Sequence, residues 1–154
     1  MTTDSAMTTD SAQPAAYWTG VAHRSAIAFI RAAIADLGLT QPQFWLLRNL
    51  SADDLSPDGR GRTVGELAEA MKSYLNADDD PAAEAEILLG RGWVTRDDDR
   101  RLWITTAGEE ARLRVKAQAP AIRARIHQGI DDADYVTTLT VLQQMVRNTG
   151  GTVA

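Results

Sequence analysis

The sequence has no cysteine. Disulfide bridges, thiolate nucleophiles, redox-sensing thiols and cysteine-based zinc sites are thereby excluded together. Histidine is nearly as scarce: His23 and His127 are the only two, far apart in the chain, and a histidine-rich metal centre is not expected. No apolar run approaches the ~20 residues needed to cross a bilayer as a helix. The first residues include Asp4 and Asp10 but no basic residue and no apolar stretch, so they do not read as a secretory signal; the expected compartment is the cytoplasm. Positive charge is in deficit, with 16 Lys and Arg against 21 Asp and Glu and a formal net charge of −5. An acidic balance works against non-specific binding of nucleic acid. There is no glycine-rich phosphate loop, and Gly59-Arg60-Gly61 reads as a loop tip. The run Asp78-Asp79-Asp80 lacks the alternating ligands and distal Glu of a calcium loop. With no catalytic, metal or cofactor constellation, an enzyme is not expected.

What remains is an ordinary globular composition, 44% hydrophobic and 24% charged over 154 residues, enough for one domain with a substantial core. The hexapeptide Met-Thr-Thr-Asp-Ser-Ala occurs twice, at 1–6 and 7–12. It is polar and aperiodic, so 1–14 reads as a disordered tail, and 149–154 as a flexible end. From Tyr17 to Leu37, Val21, Ile27, Ile30, Ile34 and Leu37 recur at helical spacing, and Gly38 supplies a stop. Thr40 with Gln43 is a capping box, and Pro42 suits a first turn. It opens a helix to about Leu50 with Phe44, Leu47 and Leu50 inward. Asp-, Pro- and Gly-rich residues 51–61 form a loop. Thr63 with Glu66 is a second capping box and opens a third helix with Leu67, Ala68 and Met71 inward; Pro81 opens a fourth, ending near Gly90 or Gly92, with Ala82, Ala85, Leu88 and Leu89 inward.

Residues 93–96 and 102–105 flank the acidic turn Asp97-Asp98-Asp99 and read as a hairpin. Trp93 and Trp103, on adjacent strands, are expected to pack in the core, against each other or on the helices. Thr106 with Glu109 forms a third capping box, starting a helix towards Ile126 that Pro120 should kink. Asp132 starts a last helix with Val136, Leu139, Leu142 and Val146 on one face. The fold class is mainly α with a small β-hairpin wing: a winged helix-turn-helix over 40–106, flanked by helices at 15–38 and 107–148. Those flanking helices have more apolar surface than so small a central unit can cover, and a homodimer is the economical solution.

Several segments in order, Gly38-Leu-Thr-Gln-Pro-Gln43, Thr63-Val-Gly-Glu-Leu-Ala68, Gly90-Arg-Gly-Trp-Val-Thr-Arg96, Asp99-Arg100-Arg101 and Ile104-Thr-Thr-Ala-Gly108, resemble the bacterial MarR family of transcription regulators over about Tyr17 to Asn148. The resemblance implies a homodimer that presents two recognition helices to successive major grooves of a pseudo-palindromic site, with a wing arginine approaching the minor groove. It also implies a small ligand held between the dimerisation and DNA-binding parts. The implied DNA-contacting residues are Arg62, Lys72, Ser73, Ala82, Ala83, Arg96, Arg100 and Arg101; the candidate ligand residues are Trp18, His23, Arg24 and Trp45.

The chain departs from the family at its reading surface. The positions expected to meet base edges fall near Asp79, Ala82 and Ala83, and alanine can touch a thymine methyl but makes no bidentate contact. The Asp78-Asp80 run occupies a helix N-terminus where a phosphate would sit, and Glu84 and Glu86 continue the acidic side. Between Arg62 and Thr106 six basic residues face ten acidic ones, and the wing is short. Two readings therefore stay open: a ligand-responsive DNA-binding regulator, and a winged-helix protein whose acidic face binds a protein partner.

Overall fold

The computed structural model describes residues 13–153; the duplicated hexapeptide lies outside them. Among the described residues the order is α1 (Ala15–Ala35), α2 (Gln41–Arg48), α3 (Val64–Met71), α4 (Pro81–Gly90), β1 (Val94–Arg96), β2 (Leu102–Ile104), α5 (Thr106–Ile126) and α6 (Asp132–Asn148). This is the expected helical scaffold with a two-stranded antiparallel hairpin, in the register Val94↔Ile104, Thr95↔Trp103 and Arg96↔Leu102. The chain divides into two compact units, one ending at Ala119 and one beginning at Pro120. The boundary falls inside α5, at the residue whose ring removes an N–H from the helix and leaves the Lys116 carbonyl without its i+4 donor. The helix nevertheless continues to Ile126.

Local chemistry accounts for the starts of α2, α3, α4 and α5. The Thr40 hydroxyl accepts from Gln43 N at 3.2 Å, and the Gln43 side chain accepts from Thr40 N at 3.1 Å, so both halves of the capping box are made. Thr63 accepts from Glu66 N at 3.2 Å. Asp80 caps α4, its carboxylate accepting from Ala82 N and Ala83 N, and Pro81 fills the first position, where no N–H is needed. The α5 cap is Thr105, not Thr106: its hydroxyl accepts from Gly108 N at 3.1 Å and donates to Gly92 O at 2.7 Å. Thr106 is the first helical residue instead. At the end of α1, Gly38 adopts φ +85°, which a side chain would disfavour.

One apolar cluster holds this unit together. Ile34 of α1, Leu46 and Leu47 of α2, Leu67 and Met71 of α3, Ala85 and Leu88 of α4, Val94 and Leu102 of the hairpin and Ala111 and Val115 of α5 are all buried. Leu46 was missed by the periodicity, whereas Phe44 is only half-buried; Ala82, expected inward, is exposed. Gly108 lies so near the backbone of Trp93 that an added Cβ would stand 2.1 Å from its carbonyl oxygen. In the second unit His127 packs on Tyr135, with ring centroids 4.2 Å apart. Helix α6 buries none of its residues: Val136 is 60% exposed, and Leu139, Val141 and Val146 are exposed as well.

Candidate nucleic-acid interface

Helices α3 and α4 and the hairpin form the helix-turn-helix and wing. The wing is tied to the chain on both sides. Arg62 N donates to Leu102 O and Leu102 N to Arg62 O, so the segment before α3 adds a bridge beside β2. Trp103 lies over Gly61, where an added Cβ would meet the indole at 2.4 Å, and Arg101 Nη1 donates to Gly61 O at 2.8 Å. Gly61 is therefore a packing position rather than a loop tip. Trp103 and Trp93 do not pair. Trp103 is exposed on its outer side and donates from Nε1 to Asp97 at 2.8 Å, while Trp93 lies under the guanidinium groups of Arg91 and Arg114.

The wing turn is organised by Asp97. One of its carboxylate oxygens accepts from Asp99 N and Arg101 N, the other from Trp103. Led by the indole bond, these contacts hold its carboxyl below the usual carboxylate range. At the tip Arg100 adopts φ +61°, the one non-glycine among the described residues in the left-handed region. Such backbone is costly for a side-chain-bearing residue and concentrates at functional positions. Among the described residues the Arg100 side chain has no hydrogen bond or ion pair. It lines, with Arg96, Asp99 and Thr63-Val64-Gly65, a cleft of about 270 Å³ between the wing and the start of α3.

Three of the other candidate cations are engaged by carboxylates, whereas Arg62 is tied to the wing through its backbone. Arg96 pairs with Glu86 of α4, Arg101 reaches Glu66 of α3 at 3.4 Å, and Lys72 pairs with Glu69 at 2.5 Å. Ser73 is exposed just beyond α3, and Ala82 and Ala83 are exposed on α4. Each of these three cations thus carries a carboxylate partner from α3 or α4. The acidic side is not a continuous face. Asp79, expected near base edges, is instead turned inward to a bidentate pair with Arg31 of α1, at 2.9 and 2.7 Å, and also accepts from Asn76 N. The Arg31 bond dominates in holding its carboxyl low. Glu84 likewise turns inward, accepting from Gln43 Nε2 at 2.7 Å.

The four candidate ligand residues separate. His23 and Arg24 line a cavity of about 230 Å³ with Ile27, Ala28, Arg31 and Asn76. Trp18 packs edge-on against Tyr17, and Trp45 stacks on Tyr74 at 4.2 Å beneath Arg48; neither lines that cavity. Arg31 and Asn76 were not foreseen. Arg31 had a signal, being a charged residue four places from the inward Ile27, but its partner Asp79 lies 48 positions away. Among the described residues no cluster of three or more His, Cys, Asp or Glu is arranged to hold a metal ion. No helix there is long and apolar enough to cross a membrane.

No family profile matches the sequence, and no curated protein matches it. Solved structures do. A MarR-family transcriptional regulator from Silicibacter pomeroyi superposes with a TM-score of 0.70 at 18% identity, covering 93% of this chain and 99% of that one. The reduced form of MarR from E. coli superposes with a TM-score of 0.66 at 15% identity, over 87% and 94% of the two chains. A MarR-family protein of Mycobacterium tuberculosis, solved in complex with DNA, gives 0.63 at 23% identity over 86% and 98%; the same protein has been solved with salicylic acid. With the six helices and wing of its described residues and these neighbours, the chain has the winged helix-turn-helix fold of the MarR-family transcriptional regulators.

Proposed function

We propose that this chain is a MarR-family transcription regulator that binds double-stranded DNA as a homodimer and responds to a small ligand. The observation that carries the reading is the wing tip: Arg100 is held in strained backbone by the Asp97 turn, with its guanidinium free beside the start of α3. In a winged helix-turn-helix that position faces the duplex while α4 lies in the major groove. A relative of the same fold solved with DNA supports it. The exposed apolar side chains of α6, and Tyr17, Trp18 and Phe29 of α1, support a second copy as partner. The cavity beside His23, Arg24 and Arg31 supports the ligand, whose effect would be to favour one separation of the two reading heads over another.

The test is selection of duplexes from a randomised pool by the purified chain, with its mass measured in solution. A pseudo-palindromic consensus bound by a dimer is expected, with binding weakened by salt and by Arg100→Ala. The carboxylates paired with Arg96, Arg101 and Lys72 favour a second reading, a wing-and-helix face that binds a protein. Failure to enrich any sequence at low salt, by a chain that is folded and dimeric, would reject the first reading in favour of that second one.

A further inference from the structure

We propose that Glu86 and Glu66 are built-in competitors of DNA phosphate. Each holds one wing arginine against a helix of the reading head, so that a duplex gains that cation only by displacing a carboxylate. This rests on the DNA-binding reading above.

The carboxylates of α4 and of the starts of α3 and α4 differ in what they do. Asp79, Asp80 and Glu84 have tasks within the fold: an ion pair to α1, the α4 cap and a bond to the buried Gln43. Glu86 and Glu66 have none. Their side chains are 63% and 47% exposed, and their partners are Arg96 of β1 and Arg101, just before β2. Glu66 is the more telling. It stands three residues after Thr63, where its side chain could complete a capping box, yet it reaches towards the wing arginine instead. Arg96 also lines the cleft beside Arg100 and the start of α3, and Glu86 does not, so an anion entering there meets a cation already paired. Arg100, one residue from Arg101, is the wing cation with no such partner.

DNA affinity comes largely from counterions released as phosphates are neutralised. When a wing arginine moves from its glutamate to a phosphate, the freed carboxylate stands beside the duplex and takes up a cation, cancelling one release. Removing the negative charge while keeping an acceptor oxygen preserves the wing's position and removes the competitor. Each of Glu86→Gln and Glu66→Gln should then tighten binding roughly threefold to tenfold at moderate salt. Each should also steepen the slope of log affinity against log salt by up to about 0.9.

The experiment is fluorescence anisotropy with a labelled mixed-sequence duplex over a potassium chloride series, using the full chain, E86Q, E66Q, their double variant and Asp134→Asn. Asp134 lies on α6, in the unit that does not carry the wing, and D134N makes the same change in net charge. Circular dichroism checks that each variant is folded. Tighter binding and steeper slopes for the two single variants, a larger change for the double and none for D134N are expected. Unchanged affinity and slope in E86Q and E66Q overturn the proposal. So does equal tightening by D134N, which would make net charge the cause, or weaker binding by E86Q, which would make Glu86 a contributor to the complex. If no variant forms a complex even at the lowest salt, the DNA-binding reading falls and this proposal with it.

Discussion

Asp54 should be the most costly charge in the chain to remove. It sits in the loop after α2 with its side chain 4% exposed, and three cations converge on it: Arg48 at 3.0 Å, Arg112 at 3.1 Å and Lys116 at 3.8 Å. Arg112 is itself only 2% exposed and has one other carboxylate, Glu109 at 2.8 Å. Asp54→Asn leaves a buried guanidinium half-compensated. Removing one partner of a buried pair costs about 3–5 kcal/mol, and the surviving Glu109 contact argues for the lower end, about 3 kcal/mol. For a chain of this length that is a fall of about 6–12 °C in the unfolding midpoint, read by circular dichroism at fixed protomer concentration because dimerisation would add its own linkage. Burial alone would raise the Asp54 pKa, but the Arg48 bond and the charges of Arg48, Lys116 and Arg112 outweigh it and the net shift is downward. The unfolded chain therefore takes up this proton first as pH falls. The stabilisation is complete above the ordinary carboxylate pKa of about 3.9 and is lost as pH drops through the lower folded value. D54N should show a shallower acid limb than the parent. The double variant Asp54→Asn with Arg112→Met should lose less than the sum of the single losses. A D54N midpoint within about 2 °C of the parent, which is under about 1 kcal/mol, or strict additivity in the double variant, would refute the hub.

Two further outcomes follow from the backbone. Gly108→Ala would drive a methyl to within 2.1 Å of the Trp93 carbonyl oxygen and 2.8 Å of the Ile104 side chain; since backbone must move, a loss of more than about 2 kcal/mol is expected, measured by urea denaturation. Arg100→Gly relieves left-handed backbone at φ +61° and should stabilise the fold by up to about 1 kcal/mol. The same substitution should weaken the duplex binding measured by anisotropy, so stability and affinity move in opposite directions.

The elements were legible because their signals are local. Thr40 and Gln43 lie three residues apart and make both halves of their box; Pro81 follows the capping Asp80 directly. The strands, short as they are, were marked by the alternation around the acidic turn. What escaped the sequence was the destination of charges. Asp79 looked like part of an exposed acidic run, and its inward turn depends on Arg31, 48 residues earlier. Arg112 carried no local signal of burial, because its partner Asp54 lies 58 residues away. Trp103 was expected in the core because aromatic strand residues usually pack there; its partner proved to be the bare backbone of Gly61. The candidate site was legible in its residue types and not in its pairings, because an ion pair is decided by which elements the core brings within a few ångströms.

Residues 51–61 have the composition of a segment where homologous proteins usually accept insertions. Here Ser51 and Ser56 are fully buried, Asp54 anchors three cations, and Gly61 lies under Trp103. Descendants of this sequence are free to vary the exposed side chains of that stretch but not its length, and a peptide tag or reporter spliced there would disturb both the core and the wing.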